Sequence, residues 1–158
     1  PLSVEVTLHG AVVVRVLPAA EYAAFVPEAQ EALWSAPWSV TAQSNRAGYR
    51  LAGPELRLST PLELRSHGVV PGTIQVPPGG APIIQLADAA TMGGYPKVGV
   101  VIEADLWRLA QVRPGDSLRF QQTTYAEGVA ALSDLQGYLK ALEASAALAR
   151  SAVSGWTR

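Results

Sequence analysis

Short apolar runs separated by glycine and proline dominate the first three quarters of the chain. Val4–Leu8 alternates apolar and polar positions, as a half-buried strand does, and Val12–Leu17 is a β-branched run that indicates a buried strand. The remaining strand-length runs are Trp38–Gln43, Thr73–Val76, Ile83–Leu86, Val98–Ile102 and Ser117–Gln121. Many short strands with closely spaced turns predict a mostly-β barrel or sandwich.

Three segments are predicted to be helical. Ala20–Leu33 has apolar residues near helical spacing, and Pro27 marks a break or a second start within it. Glu103–Gln111 has the pattern of a short helix. Ala126–Ala149 is rich in Ala and Leu, and its apolar residues recur at three- and four-residue steps to form one stripe. Because packing supplies most helical stability, we expect this stripe to lie on the barrel or on a neighbouring domain; a self-paired coiled coil is the less favoured alternative.

The composition fits a single domain with a sizeable core. The chain has 158 residues, of which 49% are hydrophobic and 16% charged. We expect a barrel over residues 1–122, followed by a C-terminal amphipathic helix and tail over 123–158. The chain starts with Pro1 and not with Met, which suggests a processed product or a piece of a longer protein.

Charge and cysteine usage exclude several classes of function. The net charge is −1 and the arginines are scattered, so no nucleic-acid partner is expected. We find neither an 18-residue apolar stretch nor a signal peptide, and we therefore expect no membrane association. The absence of cysteine fits a cytoplasmic location. Two histidines without cysteine argue against a zinc site, and no metal is expected.

Two polar segments interrupt the strands in the first half of the chain. In the first, Asn45 can donate and accept through one amide, and Arg46 offers a planar fork suited to carboxylate or phosphate. In the second, Gln75 lies between Ile74 and Val76, so it points towards solvent or a cleft if those two face the core. The alternative interpretations are a solvated turn and an ordinary exposed strand residue.

A third segment, Asp88–Lys97, has the highest density of unusual side chains. Adjacent glycines there let backbone N–H groups approach a ligand closely, and Lys97 is one of only two lysines in the chain. Its candidate site residues are Asp88, Thr91, Gly93, Gly94, Tyr95 and Lys97. We expect them to converge with those of the other two segments on one concave surface; the alternative is a tight turn with Lys97 in solvent.

The three segments contain no standard nucleotide-binding or hydrolase motif, yet together they resemble one family. The patterns QSNR-x-GYRL-x-GP, S-x-GVVPGTIQVPPGG-x-PI, D-x-x-T-x-GGYPK and ADLWRLAQ-x-RPGD-x-LRF follow one another in this order. They are similar to the C-terminal half of the biotin-dependent carboxyltransferase-like proteins, also called allophanate hydrolase subunit 2 or the C subunit of bacterial 5-oxoprolinase. The resemblance implies a cyclophilin-like β-barrel with two short helices and a C-terminal helix. Family members are about twice as long and carry a related N-terminal barrel, and His67 stands where the family usually has an acidic residue.

The resemblance implies an enzyme component that is not active alone. The favoured function is part of an ATP-dependent 5-oxoproline amidohydrolase, with ATP bound by the assembled complex. Its implied partners are the N-terminal barrel, the A subunit, the kinase-inhibitor-like B subunit and a small amide or lactam substrate. The alternatives are carboxyl transfer from carboxybiotin, with biotin on a partner protein, to urea or a related amide, and a non-catalytic module that regulates a kinase inhibitor.

The favoured function assigns a role to each candidate residue. Lys97 and Asp88 would be catalytic, with the ammonium of Lys97 and the amides of the two glycines stabilising developing negative charge. Asn45 and Arg46 would bind the substrate carboxylate. The other substrate-binding residues would be Gln75, Thr91, Gly93, Gly94 and Tyr95.

Overall fold

The computed structural model describes residues 7–8 and 10–154, with side chains over 10–150. Most of the predicted strand Val4–Leu8 therefore lies outside the described residues. Ten strands are present in this part of the chain. They are β1 (Thr7–Leu8), β2 (Ala11–Pro18), β3 (Trp38–Val40), β4 (Gly48–Ala52), β5 (His67–Gly68), β6 (Thr73–Gln75), β7 (Ile83–Gln85), β8 (Met92–Gly93), β9 (Lys97–Val101) and β10 (Ser117–Gln122).

Seven of these strands close into a barrel, which confirms the predicted fold class. Their order is β2-β10-β3-β4-β7-β6-β9, and β9 pairs back with β2. The pairing of β2 with β10 is parallel, whereas the other pairings around the barrel are antiparallel. β1 extends the sheet beside β2, and β5 with β8 forms a separate two-stranded ribbon.

The helices differ in extent from the prediction. A 3₁₀ turn at Tyr22–Ala24 precedes helix α1 (Pro27–Ser35), so the expected helix Ala20–Leu33 is interrupted before Pro27 and its second part ends later. Proline suits the first turn of a helix because its missing N–H would have no partner there. The predicted helix Glu103–Gln111 is a 3₁₀ turn at Glu103–Asp105 followed by the single turn of α2 (Leu106–Leu109).

The core combines large buried side chains from the barrel strands with others from the segments that cover them. Trp38 is fully buried and lies tilted against Phe120, with ring centroids 6.2 Å apart. α1 covers one side of this core through Ala29 and Leu33. Gly72 adopts φ +89°, and a Cβ at this position would lie 2.9 Å from the carbonyl oxygen of Val101, so glycine is required by both the turn and the close approach.

The long C-terminal helix α3 (Tyr125–Ser154) contacts the rest of the molecule near its start, where Gly128 lies against Ile102. Glu127 caps it by accepting the backbone N–H of Thr124 at 2.8 Å, and the hydrogen bonds from Thr124 and Thr123 lower the pKa of the Glu127 carboxyl. Leu132 is half-buried, but Leu139 and Leu142 are 49% and 48% exposed. The second half of the stripe therefore does not pack on the described barrel, and packing of this half on a neighbouring domain stays a prediction.

The chain passes directly from the barrel to this helix, since β10 ends at Gln122 and α3 begins at Tyr125. The division into residues 1–122 and 123–158 stays a prediction. Over the described residues, no helix combines the length and apolar character that a membrane span would need.

Candidate functional site

The nine candidate residues fall into separate groups, and the five that line a cavity line two different ones. Asn45, Arg46 and Asp88 line a cavity of about 690 Å³, whereas Gly94 and Tyr95 line another of about 700 Å³. The two cavities share no lining residue. The single concave surface expected from the sequence is thus divided in the structure.

The first group, called the Arg46 group below, consists of Asn45, Arg46 and Asp88 and forms a charged rim of its cavity. Arg46 forms a two-point ion pair with Asp88, with Nε 2.9 Å from Oδ2 and Nη2 donating to Oδ1 at 3.3 Å. The Arg46 side chain is 89% exposed, so water screens this pair and an incoming anion could replace Asp88. The side-chain oxygen of Asn45 accepts the backbone N–H of Ala47 at 2.9 Å, which fixes the turn.

The wall of this first cavity is largely apolar. Tyr49 lines it, and its hydroxyl lies 3.0 Å from the carbonyl oxygen of Leu109 and 2.9 Å from that of Val112. Burial raises the pKa of the Tyr49 phenol, and the negative charge of Asp116 raises it further. The hydroxyl is therefore a neutral structural link between β4 and the end of α2.

The second group, called the Lys97 group below, consists of Lys97 at the start of β9 and its neighbours Glu21, His67, Gln75 and Gly93. The Lys97 ammonium lies 3.4 Å from Oε2 of Glu21 and also contacts Nε2 of His67. Nδ1 of His67 lies 2.9 Å from the carbonyl oxygen of Arg65. Because a carbonyl accepts and an ammonium donates, these two contacts fit the tautomer of His67 that donates from Nδ1 and accepts at Nε2. The Lys97 side chain is only 18% exposed, so the alternative of a lysine in solvent is wrong.

Gln75 belongs to this second group. It is the register partner of Lys97 in the pairing of β6 with β9, and its side-chain amide donates to the carbonyl oxygen of Tyr95 at 3.3 Å. Gly93 lies directly against that amide, since a Cβ there would be 2.6 Å from Nε2 of Gln75. Gly93 is also the register partner of His67 in the β5–β8 ribbon. Gln75 is buried, so the alternative interpretation of an ordinary exposed strand residue is wrong.

The remaining candidates lie on the loop between β7 and β9. Gly94 packs against the backbone of Leu64, and a Cβ there would be 3.3 Å from the Leu64 carbonyl oxygen. The ring of Tyr95 is exposed. Thr91 is exposed as well, and its carbonyl oxygen accepts the backbone N–H of Val69 at 2.9 Å.

Sequence reasoning missed Glu21, which lies just before the first 3₁₀ turn. Its partner Lys97 is 76 residues away in the chain, and nothing in the local pattern around Glu21 points to that pairing. It also missed the buried carboxylate of Asp105, which accepts the backbone N–H and both Nε and Nη2 of Arg15 at 2.7–2.9 Å. Asp105 lies within the motif ADLWRLAQ, and its place among apolar residues of a short helix was the signal that could have found it.

The described residues include no candidate metal site. Among the described residues, no three His, Cys, Asp or Glu side chains are grouped so that they could hold a metal ion.

Comparison with known proteins identifies the family. Residues 3–122 match the family model described as carboxyltransferase domain, subdomain A and B. The chain is 45% identical over 129 residues to the C subunit of 5-oxoprolinase from Escherichia coli (strain K12), a match that covers 82% of this chain and 42% of that protein. It is 48% identical over 115 residues to the C subunit of 5-oxoprolinase from Haemophilus influenzae, a match that covers 73% of this chain and 37% of that protein. The chain thus spans less than half the length of these curated relatives.

A solved structure supports the same relationship. The K. lactis urea amidolyase aligns with a TM-score of 0.69 at 28% identity, covering 73% of this chain and 8% of that one. The family model covers about three quarters of the chain, through β10. The chain belongs to the carboxyltransferase domain, subdomain A and B, family.

Proposed function

We propose that this chain is part of the C subunit of a 5-oxoprolinase and takes part in the ATP-dependent opening of 5-oxoproline to glutamate. The observation that carries this proposal is the 45% identity to the E. coli protein over 82% of the chain. Because the chain spans less than half of that protein, the activity is proposed for the assembled complex and not for the chain alone.

The reaction has one demand that the Lys97 group can meet. Opening the lactam to glutamate adds the oxygen of a water molecule to the carbonyl carbon, and negative charge develops on the former carbonyl oxygen. The C–N bond then breaks, and the ring nitrogen takes up a proton and becomes the amine of glutamate. A fixed cation and backbone N–H groups stabilise such charge better than mobile water does. The ammonium of Lys97 is held by Glu21 on one side, and Gly93 lies in the same group. We assign the reacting carbonyl to this group, with Lys97 as its catalytic residue.

The Arg46 group receives a different role because it lines the other cavity. Arg46 and Asn45 are proposed to bind a carboxylate or phosphate group there, with the anion taking the place of Asp88 on the guanidinium. Asp88 contacts Arg46 and shows no contact with Lys97, so we assign it to holding Arg46 and not to catalysis. Thr91 and Tyr95 stand on the intervening loop, where they would line the approach to Lys97.

The partners and location follow from the proposed assembly. We expect the A and B subunits, together with the remaining half of the C subunit, to complete the enzyme in the cytoplasm. ATP is expected to bind in that complex.

Reconstitution tests the proposal directly. The chain would be combined with the remainder of the C subunit and with the A and B subunits, and glutamate formation from 5-oxoproline would be measured with and without ATP. ATP-dependent glutamate formation that requires this chain is expected. A complex that forms but releases no glutamate would contradict the proposal.

Carboxyl transfer is the second candidate, because the family model is described as a carboxyltransferase domain and the K. lactis urea amidolyase shares the fold. The same preparation would be offered a carboxylated, biotinylated carrier protein with urea. Transfer of the carboxyl group to urea, in place of glutamate formation, would favour this second function.

A further inference from the structure

The apolar stripe of α3 is half-buried at one end and open to solvent along the rest of its length. Six of its residues follow one another at alternating steps of three and four: Leu132, Leu135, Leu139, Leu142, Ala146 and Ala149. An average step of 3.5 residues is the pattern of a helix that packs lengthwise against another helix. Leu139 and Leu142 are about half exposed, and the two alanines are exposed as well.

The half-buried end of the stripe borders an apolar cavity of about 520 Å³. Leu132 and Val129 of α3 line this cavity together with Val70 and Leu106, and Glu103 is the one charged residue in its lining. Val70 and Val129 are themselves 60% and 51% exposed, so the mouth of the cavity is open. The stripe and the cavity thus form one continuous apolar surface, with Leu132 belonging to both.

Side-chain size changes along the stripe, because its first four residues are leucines and its last two are alanines. A second α3 helix lying antiparallel would place the large side chains of one copy opposite the small ones of the other at both ends. The layers would be Leu132 with Ala149, Leu135 with Ala146, and Leu139 with Leu142, each formed twice. Packing is then even along the whole stripe, whereas a parallel pair would crowd leucines at one end and leave alanines at the other.

The antiparallel arrangement also suits the rest of the molecule. α3 joins the barrel near its start, where Gly128 lies against Ile102, so the two barrels of an antiparallel pair lie at opposite ends. A parallel pair would bring both barrels to the same end. The stripe is about 26 Å long, and Ala149 of the second copy would lie level with Leu132. The end of the second helix would therefore close the apolar cavity.

The residues beside the stripe are complementary in the same arrangement. Gln136 and Glu143 directly follow Leu135 and Leu142 in the chain, so they flank the stripe on the same side. In an antiparallel pair, Gln136 faces Glu143 of the second copy, and its amide can donate to that carboxylate. Two-fold symmetry repeats this contact on the other side of the pair.

We propose that α3 of a second copy of this chain covers this surface, so that the chain forms a two-fold symmetric dimer through an antiparallel pair of α3 helices. The occupant is a second copy in place of a neighbouring domain, because the size order of the stripe and the Gln136–Glu143 contact both match the helix itself. This inference goes beyond the proposed function and does not depend on it.

The mass of the full chain as a function of its concentration tests the dimer without substrate or other subunits. We expect sedimentation equilibrium to show reversible association that stops at two copies. Because the chain has no cysteine, a spin label on Ser133→Cys is the only one in each copy. In the antiparallel dimer Ser133 lies level with Leu148 of the second copy, so the two labels are about 22 Å apart along the axis. A parallel pair would hold both labels at one level.

Replacing a central leucine should separate the two copies. Leu139 is about half exposed in the single chain, so Leu139→Lys creates no core cavity there. In the dimer it buries a charge in the middle layer, and we expect the dissociation constant to rise about tenfold or more. The matched control is Ala144→Lys, which adds the same charge at an exposed position of α3 away from the stripe and should leave the dimer unchanged.

Two substitutions of Gln136 test the register. Gln136→Glu places two carboxylates opposite each other and should weaken the dimer, whereas Gln136→Lys faces Glu143 of the second copy and should tighten it. Within a single helix the two effects have the opposite signs. Glutamate at this position pairs favourably with Lys140 four residues later, and lysine is repelled by it. A change in helix stability alone therefore cannot produce the expected result.

The outcomes decide between a second copy and another occupant. A chain that stays monomeric at every concentration, a dimer that Leu139→Lys leaves intact, or labels held at one level would each overturn the inference. If the unaltered chain is monomeric and Leu139→Lys weakens binding of the A and B subunits or of the remaining C-subunit half, the surface belongs to that partner and the inference is wrong. Should Leu139→Lys not fold, the mass of the unaltered chain and the label distance still decide.

Discussion

Glu21 and Lys97 are joined at both ends of the lysine: Oε2 of Glu21 accepts the backbone N–H of Lys97 at 3.1 Å and lies 3.4 Å from its Nζ. The first contact fixes the start of β9, and the second fixes the ammonium. The carboxylate of Glu21 thereby holds both the start of β9 and the ammonium of Lys97 in place. The two side chains are 15% and 18% exposed, so water screens the pair only partly.

Replacing Glu21 by Gln should lower stability as well as disturb the ammonium. The change leaves the largely buried charge of Lys97 without its counter-ion, and we expect a loss of about 1–3 kcal/mol in the free energy of unfolding. Urea denaturation would measure it. The matched control is Glu31→Gln on the exposed face of α1, which should change stability by less than about 0.5 kcal/mol. Equal effects of the two substitutions would refute a special role for Glu21.

Adding a methyl group at Gly93 should disturb Gln75 specifically. The new Cβ would stand 2.6 Å from Nε2 of Gln75, so the buried amide must move and its bond to the Tyr95 carbonyl oxygen must lengthen or break. We expect Gly93→Ala to shift the Gln75 side-chain NMR signals and to cost about 1–3 kcal/mol of stability. Gly68→Ala lies on the partner strand of the same ribbon with nothing within 4 Å of its Cβ, and it should leave both quantities unchanged.

Asp105 should be among the most sensitive charged residues for stability. It is 1% exposed, and it accepts three hydrogen bonds from Arg15. Asp105→Ala leaves the guanidinium of Arg15 without its partner inside the protein, and we expect a loss of about 3–5 kcal/mol. Thermal and urea unfolding would report it. Asp134→Ala, on the exposed side of α3, is the control and should cost less than about 0.5 kcal/mol.

The raised pKa of Tyr49 predicts that the protein loses stability at alkaline pH. Its pKa is raised above its ordinary value in the folded state, chiefly by burial. In the unfolded chain the phenol ionises near its ordinary pKa of about 10, whereas the folded state retains the proton there. The unfolded state is therefore favoured as pH rises through about 10, and the free energy of unfolding should fall. Tyr49→Phe should remove this part of the alkaline decline, so identical pH profiles for the two proteins would contradict the assignment.

Local pattern and family resemblance predicted the barrel well because strand length, turn residues and motif order are all local or sequential features. Thr73–Val76 and Val98–Ile102 lie within one residue of β6 and β9 at each end. The same signals could not show that Gln75 is buried, because its environment is created by Gly93 from another strand. The same signals wrongly predicted that Lys97 and Asn45 share one concave surface, because the sequence does not show which loops are neighbours until the register of the barrel is known.

Two other features depended on contacts that the sequence does not encode locally. The pairing of Glu21 with Lys97 depends on the fold, which brings the start of β9 next to the turn that follows β2. The apolar stripe of α3 predicted a helix packed on the barrel or on a neighbouring domain, and within the described residues Leu139 and Leu142 remain about half exposed. A periodic pattern shows which face is apolar and leaves open what covers it.

The catalytic role of Lys97 is best examined by comparing the only two lysines of the chain in the reconstituted complex. Glutamate formation from 5-oxoproline would be measured for Lys97→Met and for Lys140→Met, with unfolding of each chain measured in parallel. Lys140 is exposed on α3, away from the Lys97 group, so its variant should match the unaltered complex. We predict that Lys97→Met folds and assembles but lowers kcat by on the order of 10²-fold or more, because the charge on the reacting oxygen loses its cation. Unchanged turnover in a folded, assembled Lys97→Met complex would show that Lys97 does not stabilise that charge.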